Sequence, residues 1–171
     1  NIVPRVDRDI PRDIQAGKKS MGLKIAGTVL GNTICWDIAY DDAVHGAVRS
    51  GAQFMVVQTS NASFENTHQL EQQWAISRLR ALETGRYVVV PSTNGISGVV
   101  NAKGAVVKRA PLKKAATIIA EVPLASHPTM ATRWGGWLEL CVAALALAGW
   151  SVGARDRQRR SREVTRHHSD V

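Results

Sequence analysis

The chain has 171 residues, 44% of them apolar, and a formal charge of +8; this suits one domain with an appendage and excludes a disordered chain. Its two cysteines, Cys35 and Cys141, exclude a disulfide-framework protein. The charge is densest in residues 155–171, where six arginines face Asp156, Glu163 and Asp170, and no basic surface interleaved with aromatics occurs elsewhere, so no nucleic-acid partner is expected.

Residues 1–22 are polar and punctuated by Pro4 and Pro11, which reads as an arm. Asn1 is not a methionine, which fits a processed, cut or incomplete product. Two short strands, 23–26 and 28–35, are predicted to turn at Gly27. The second ends in Ile34-Cys35-Trp36-Asp37 and so sets a thiol at the C-terminal end of a strand, where α/β folds place reacting groups. A small buried hydrophobe fits the same position.

A helix is expected from Asp41 to Ser50, capped by Asp41 and stopped by Gly51. Phe54–Thr59 is an apolar run suited to a strand covered on both faces. Asn61 lies in the loop that follows, where it suits either an active site or the cap of the next turn. The next helix is predicted over about 67–84, with Asn66 and Gln69 resembling a capping box and Gly85 as its stop. Its apolar residues spread nearly all the way round, which predicts cover on more than one face. Arg78, Arg80 and Glu83 are expected in ion pairs.

Strands follow at 87–91, at 96–100 and 105–108 as a hairpin over 101–104, and at 117–122. The order predicts a mixed sheet with helices on a face. After a connector at 124–134, residues 135–154 carry one charge, Glu139, with Trp134, Trp137 and Trp150 near the ends. This length just suffices for a membrane span, and the arginines that follow place residues 155–171 in the cytoplasm. A buried Ala/Leu helix with a solvated tail is the alternative; in a span, Cys141 would lie inert in lipid. His45, His68 and His127 show no metal-ligand spacing, and no phosphate-cradling glycine loop is present, so neither metal nor cofactor is expected.

Gly31–Ala39 around the cysteine, Gln58–Phe64 (QTSNASF), Gln72–Arg86 (QQWAISRLRALETGR), Pro91–Val100 (PSTNGISGVV) and the segment from Trp134 to Trp150 occur in this order. Together they resemble the apolipoprotein N-acyltransferase family of the nitrilase superfamily. The resemblance implies an α/β fold: the C-terminal half of a nitrilase-like α-β-β-α sandwich over 23–123, then one C-terminal transmembrane helix. A half sandwich would leave one sheet face uncovered.

The resemblance also implies a Glu–Lys–Cys triad with Cys35 as nucleophile, Trp36 supplying an oxyanion N–H, and Asp37, Asp7 and Asn61 supporting the site. The triad Glu and Lys fall upstream of residue 1 on this matching, and Lys18, Lys19 and Lys24 read as solvated. Glu65 stands where the family usually has glycine. The implied partners are a phospholipid acyl donor, the diacylglyceryl-cysteine N-terminus of a lipoprotein, and a plasma membrane with the catalytic domain outside the cytoplasm. A membrane-tethered nitrilase-like amidase and a catalytically silent half-domain are the alternatives.

Overall fold

The computed structural model describes residues 22–169; the side chains of Leu138, Val152 and residues 155–169 are outside the description. The chain divides between Thr129 and Met130 into two compact units.

Among the described residues the first unit is built on a six-stranded mixed sheet in sequential order. β1 (Gly22–Ile25) and β2 (Thr28–Ile34) form a hairpin. Its central residues, Ala26 and Gly27, both have positive φ, which matches the right-handed twist of the strands. β2 pairs in parallel with β3 (Phe54–Gln58), and β3 with β4 (Val88–Val90). The crossovers are α1 (Asp41–Arg49) and α2 (Gln69–Thr84). β5 (Gly98–Val100) and β6 (Val106–Arg109) complete the sheet antiparallel.

The two faces of the central strands differ because side chains alternate. Met55, Val57 and Val88 are fully buried and Val90 nearly so; they pack with Val44, Ala47, Trp74 and Ala81 of the helices. Phe54, Val56 and Val89 point the other way and are only half-buried. Among the described residues this face is only partly covered, and the expectation that Phe54–Thr59 is covered on both sides is not met there. Gly31 sets the approach of α1: a Cβ there would lie 2.4 Å from Met55 Sδ and 3.0 Å from the Cβ atoms of Ala47 and Ala52.

α2 corrects the sequence reading. Its buried stripe is largely polar: Gln73, Ser77, Arg80 and Thr84, flanked by Trp74 and Ala81. Leu79 and Leu82 remain exposed, so among the described residues only one face is covered. Ser77 and Thr84 donate to the carbonyls four residues back, at 2.9 and 2.7 Å, and so bury their hydroxyls without another partner. Asn66 does not cap this helix. It takes a left-handed φ of 62°, which asparagine tolerates, and Thr67 Oγ1 accepts the Gln69 N–H instead. Gly85, also left-handed, ends the helix as predicted. Tyr40 rather than Asp41 precedes the first turn of α1.

The strand expected at 117–122 is absent. This segment makes no ladder; Ala116 and Ile118 instead line a cleft on the open face, and Lys108 Nζ donates to the Ile119 carbonyl. Pro111 and Pro123 bracket it, and proline cannot donate to a ladder.

The second unit is one helix, α3 (Met130–Ser169), which runs through both the predicted span at 135–154 and the tail. Here the expectation of a transmembrane helix is corrected: among the described residues no helix is long and apolar enough to cross a membrane. Gly135, Gly136, Glu139, Gly149, Ser151 and Gly153 dilute its apolar residues. The sidedness expected from the arginine tail depended on that span.

Candidate active site

Strand β2 delivers Cys35 to a backbone bend. Its φ is +53°, a left-handed conformation that costs a residue with a Cβ about 1–2 kcal/mol and persists only where its surroundings impose it. A short 3-10 helix, Cys35–Ala39, starts there. The Asp37 carboxylate accepts the Ile34 N–H at 3.2 Å, and the Tyr40 N–H closes on the Asp37 carbonyl at 3.0 Å. Ile38 is fully buried and pins the turn to the core.

Arg80 holds this turn from the helix side. Its Nε donates to the Ile38 carbonyl at 3.0 Å and its Nη2 to the Ala39 carbonyl at 2.7 Å. The same guanidinium pairs with Asp41 at 2.5 Å and Glu83 at 2.6 Å. Burial pulls the Arg80 pKa down, but its hydrogen bonds to Glu83 and Asp41 and their charges outweigh that and hold it above its ordinary value. Glu83 also meets His45 Nε2 at 2.8 Å. The RALE-x-GR string is thereby explained: Arg80 and Glu83 brace the cysteine turn, and Gly85 ends the helix. Arg86 donates to the Ala52 and Thr84 carbonyls, and burial lowers its pKa. Of the expected ion pairs, Arg80–Glu83 is present, whereas Arg78 donates to the Gly104 carbonyl.

Asp41, His45 and Glu83 bring one potential metal-ligand atom each within 4.8 Å, a convergence the sequence spacing did not reveal. Arg80 already bonds both carboxylates, so the cluster is charge-compensated by a cationic side chain.

The bend leaves Cys35 half-exposed at the edge of a cleft of about 850 Å³ on the open face. Ile34, Val56, Val89, Val99 and Ile118 give this cleft apolar walls, and Gln58, Thr59, Ser92 and Thr93 a polar border. Cys35 Sγ lies 3.9 Å from Asn61 Oδ1 and 3.7 Å from Gln73 Nε2. Asn61 Nδ2 donates to Gln73 Oε1 at 2.7 Å, and Thr59 Oγ1 lies 3.2 Å from Asn61 Oδ1 and 3.3 Å from Gln73 Oε1. Thr59, Asn61 and Gln73 are all buried.

The loop 92–97 (STNGIS) seats this group. Thr59 bridges in parallel to Ser92, and the Asn61 N–H donates to the Asn94 carbonyl at 2.8 Å. Gly95 has φ +131°, and a Cβ there would lie 2.8 Å from Asn61 Nδ2; only glycine leaves room for the amide. Glu65 has an ordinary φ of −54° and accepts from Asn94 Nδ2, so the residue in the usual glycine position needs no left-handed backbone.

Of the residues singled out in the sequence, Cys35, Trp36 and Asp37 share one turn and Asn61 reaches the sulfur. Trp36 is half-buried in the opening of the 3-10 helix, where backbone donors lack a carbonyl within the helix. Asp37 bonds to backbone and steadies the bend. Asp7 lies outside the described residues. Gln73 was missed as a site residue; its signal was the i, i+4, i+7, i+11 spacing with Ser77, Arg80 and Thr84, a polar stripe that turns toward the sheet.

Residues 4–131 match the carbon-nitrogen hydrolase family. The chain is 37% identical over 127 residues to an apolipoprotein N-acyltransferase of Mycolicibacterium smegmatis, covering 74% of this chain and 21% of that one. It is 32% identical over 153 residues to one of Gloeobacter violaceus, covering 90% and 29%. The chain thus spans between a fifth and three-tenths of the length of these two relatives. Two solved structures share the fold. A carbon-nitrogen hydrolase from Helicobacter pylori aligns with a TM-score of 0.53 at 18% identity, over 66% of this chain and 44% of that one. A Saccharomyces cerevisiae member of branch 10 of the nitrilase superfamily aligns at 0.52 and 21%, over 70% and 45%. With the nitrilase-like sheet, the strand-end cysteine and these matches in agreement, the chain belongs to the carbon-nitrogen hydrolase family.

Proposed function

We propose that this chain carries the nucleophile of an N-acyltransferase of lipoprotein maturation, with Cys35 as the acyl carrier. The observation that carries the reading is a thiol held by a left-handed bend at the mouth of an apolar cleft. The cleft volume lies within the roughly 300–1,000 Å³ typical of ligand pockets, and its aliphatic walls suit an acyl chain. The names borne by the similar proteins support the same chemistry.

In this reading the Cys35 thiolate attacks the ester carbonyl of a phospholipid. A C–S bond forms, the C–O bond breaks, and a lysophospholipid leaves with the proton taken from the thiol. The free α-amine of a lipoprotein's diacylglyceryl-cysteine then attacks the thioester. The C–N bond forms, sulfur departs, and the amine proton returns to the base, a two-step sequence through a covalent intermediate. The Trp36 N–H serves the tetrahedral oxyanion. Asn61 and Gln73, which reach the sulfur, are neutral amides, and this reading assigns the base to a glutamate and the second oxyanion contact to a lysine. We place the reaction at a membrane: the donor is a lipid, and α3 exposes Trp137, Leu140, Leu145, Leu147 and Trp150, an apolar surface of the kind lipid covers.

The test uses membranes from cells expressing the gene, supplied with phospholipid and a diacylated lipopeptide. The reading expects triacylated peptide, reduced roughly a thousandfold or more by Cys35→Ala. Release of free fatty acid without peptide product would identify an amidase-like hydrolase. Equal product from both proteins would remove Cys35 from the reaction.

A further inference from the structure

We infer that Gln73 is a positioning residue for Cys35: its side-chain N–H stabilises the sulfur as thiolate, with Asn61 fixing which end of the amide faces it. The inference rests on the reading of Cys35 as nucleophile. Gln73 is 3% exposed and Asn61 4%, so neither amide has bulk water as an alternative partner. Asn61 Nδ2 donates to Gln73 Oε1; reversing Gln73 alone would set two donors against each other. Nε2 must then face Cys35 Sγ, where it lies at 3.7 Å. Reversing both amides together would aim a donor from each at the Thr59 hydroxyl and take away the acceptors of its own hydrogen.

The sulfur thus has a donor on one side, Gln73 Nε2, and an acceptor on the other, Asn61 Oδ1. As a thiol it donates to Asn61 and accepts from Gln73. As a thiolate it keeps the Gln73 hydrogen bond, now strengthened by charge. Asn61 Oδ1 loses the S–H but still accepts from the Thr59 hydroxyl at 3.2 Å. Neither state strands a buried polar atom, which would cost about 1–3 kcal/mol. Thr59, at the C-terminal end of β3, is what lets Asn61 serve both states.

The test is alkylation of the full chain by iodoacetamide, resolved by peptide so that Cys35 and Cys141 are read separately. Cys141 is exposed on α3 and, with the protein in detergent solution, serves as the internal control. Gln73→Leu is expected to slow Cys35 alkylation about tenfold at pH 7, to leave it within about twofold at pH 10, where thiolate forms without help, and to spare Cys141. Asn61→Asp, which sets a carboxylate beside the sulfur, is expected to slow Cys35 at pH 7 in the same way. Unchanged Cys35 alkylation at pH 7 in both variants, or equal slowing at both pH values, would overturn the inference. Because no acyl donor is used, this outcome is independent of whether Cys35→Ala abolishes acyl transfer.

Discussion

The two faces of the central sheet are made from alternate residues of the same strands, yet they do different work. On one, Met55, Val57 and Val88 are sealed beneath α1 and α2. On the other, Val56 and Val89 are half-buried and wall the cleft that reaches Cys35. The covered face supplies rigidity, and the open face leaves room for a substrate. The bend at Cys35 connects them, because Ile38 anchors it in the core while the thiol stands in the cleft. A reactive group on a strained turn stays in place only if a packed layer holds the turn from behind.

Breaking the brace between the faces should have the largest effect on stability. Arg80→Ala removes the hydrogen bonds to the Ile38 and Ala39 carbonyls and leaves Glu83, whose side chain is 21% exposed, with His45 as its remaining partner. We expect a loss of about 3 kcal/mol, read as a lower denaturation midpoint, with Cys35 chemistry lost along with the turn. A variant of unchanged stability would show that the bend is held by the strand alone. A smaller effect is expected from tightening the covered face: Gly31→Ala places a methyl against Met55 Sδ, Ala47 and Ala52 and should cost about 1–3 kcal/mol through overpacking. The flexible thioether of Met55 gives way more easily than the two alanines, so the lower end of that range is expected in the same denaturation measurement.

The same contrast explains what was legible in the sequence. The hairpin at Gly27, the β5–β6 hairpin and the strand-end position of Cys35 follow from local turn chemistry and period-2 patterning, and the structure contains all three. The face of α2 departs from the sequence expectation because its buried stripe is polar. Arg80 is expected in an ion pair, but its bonds to the Ile38 and Ala39 carbonyls, like those of Gln73 to Asn61, join residues distant in sequence and have no local signal. Leu79 and Leu82 look like core residues yet stay exposed. Residues 117–122 have strand composition, but they cross the sheet between two prolines instead of extending it. Gln73 went unrecognised for the same reason as the stripe. Its role depends on Cys35, 38 residues away, and on Asn61, 12 residues away, and neither spacing is periodic.

The acyl-carrier role of Cys35 is tested most directly by intact-mass and peptide mass spectrometry of the protein after exposure to a defined phospholipid without acceptor. The expected result is a mass increase of one acyl chain, located on the peptide containing Cys35, released by hydroxylamine and absent from Cys35→Ala. An unmodified Cys35 in protein that still transfers acyl groups to lipopeptide would contradict it.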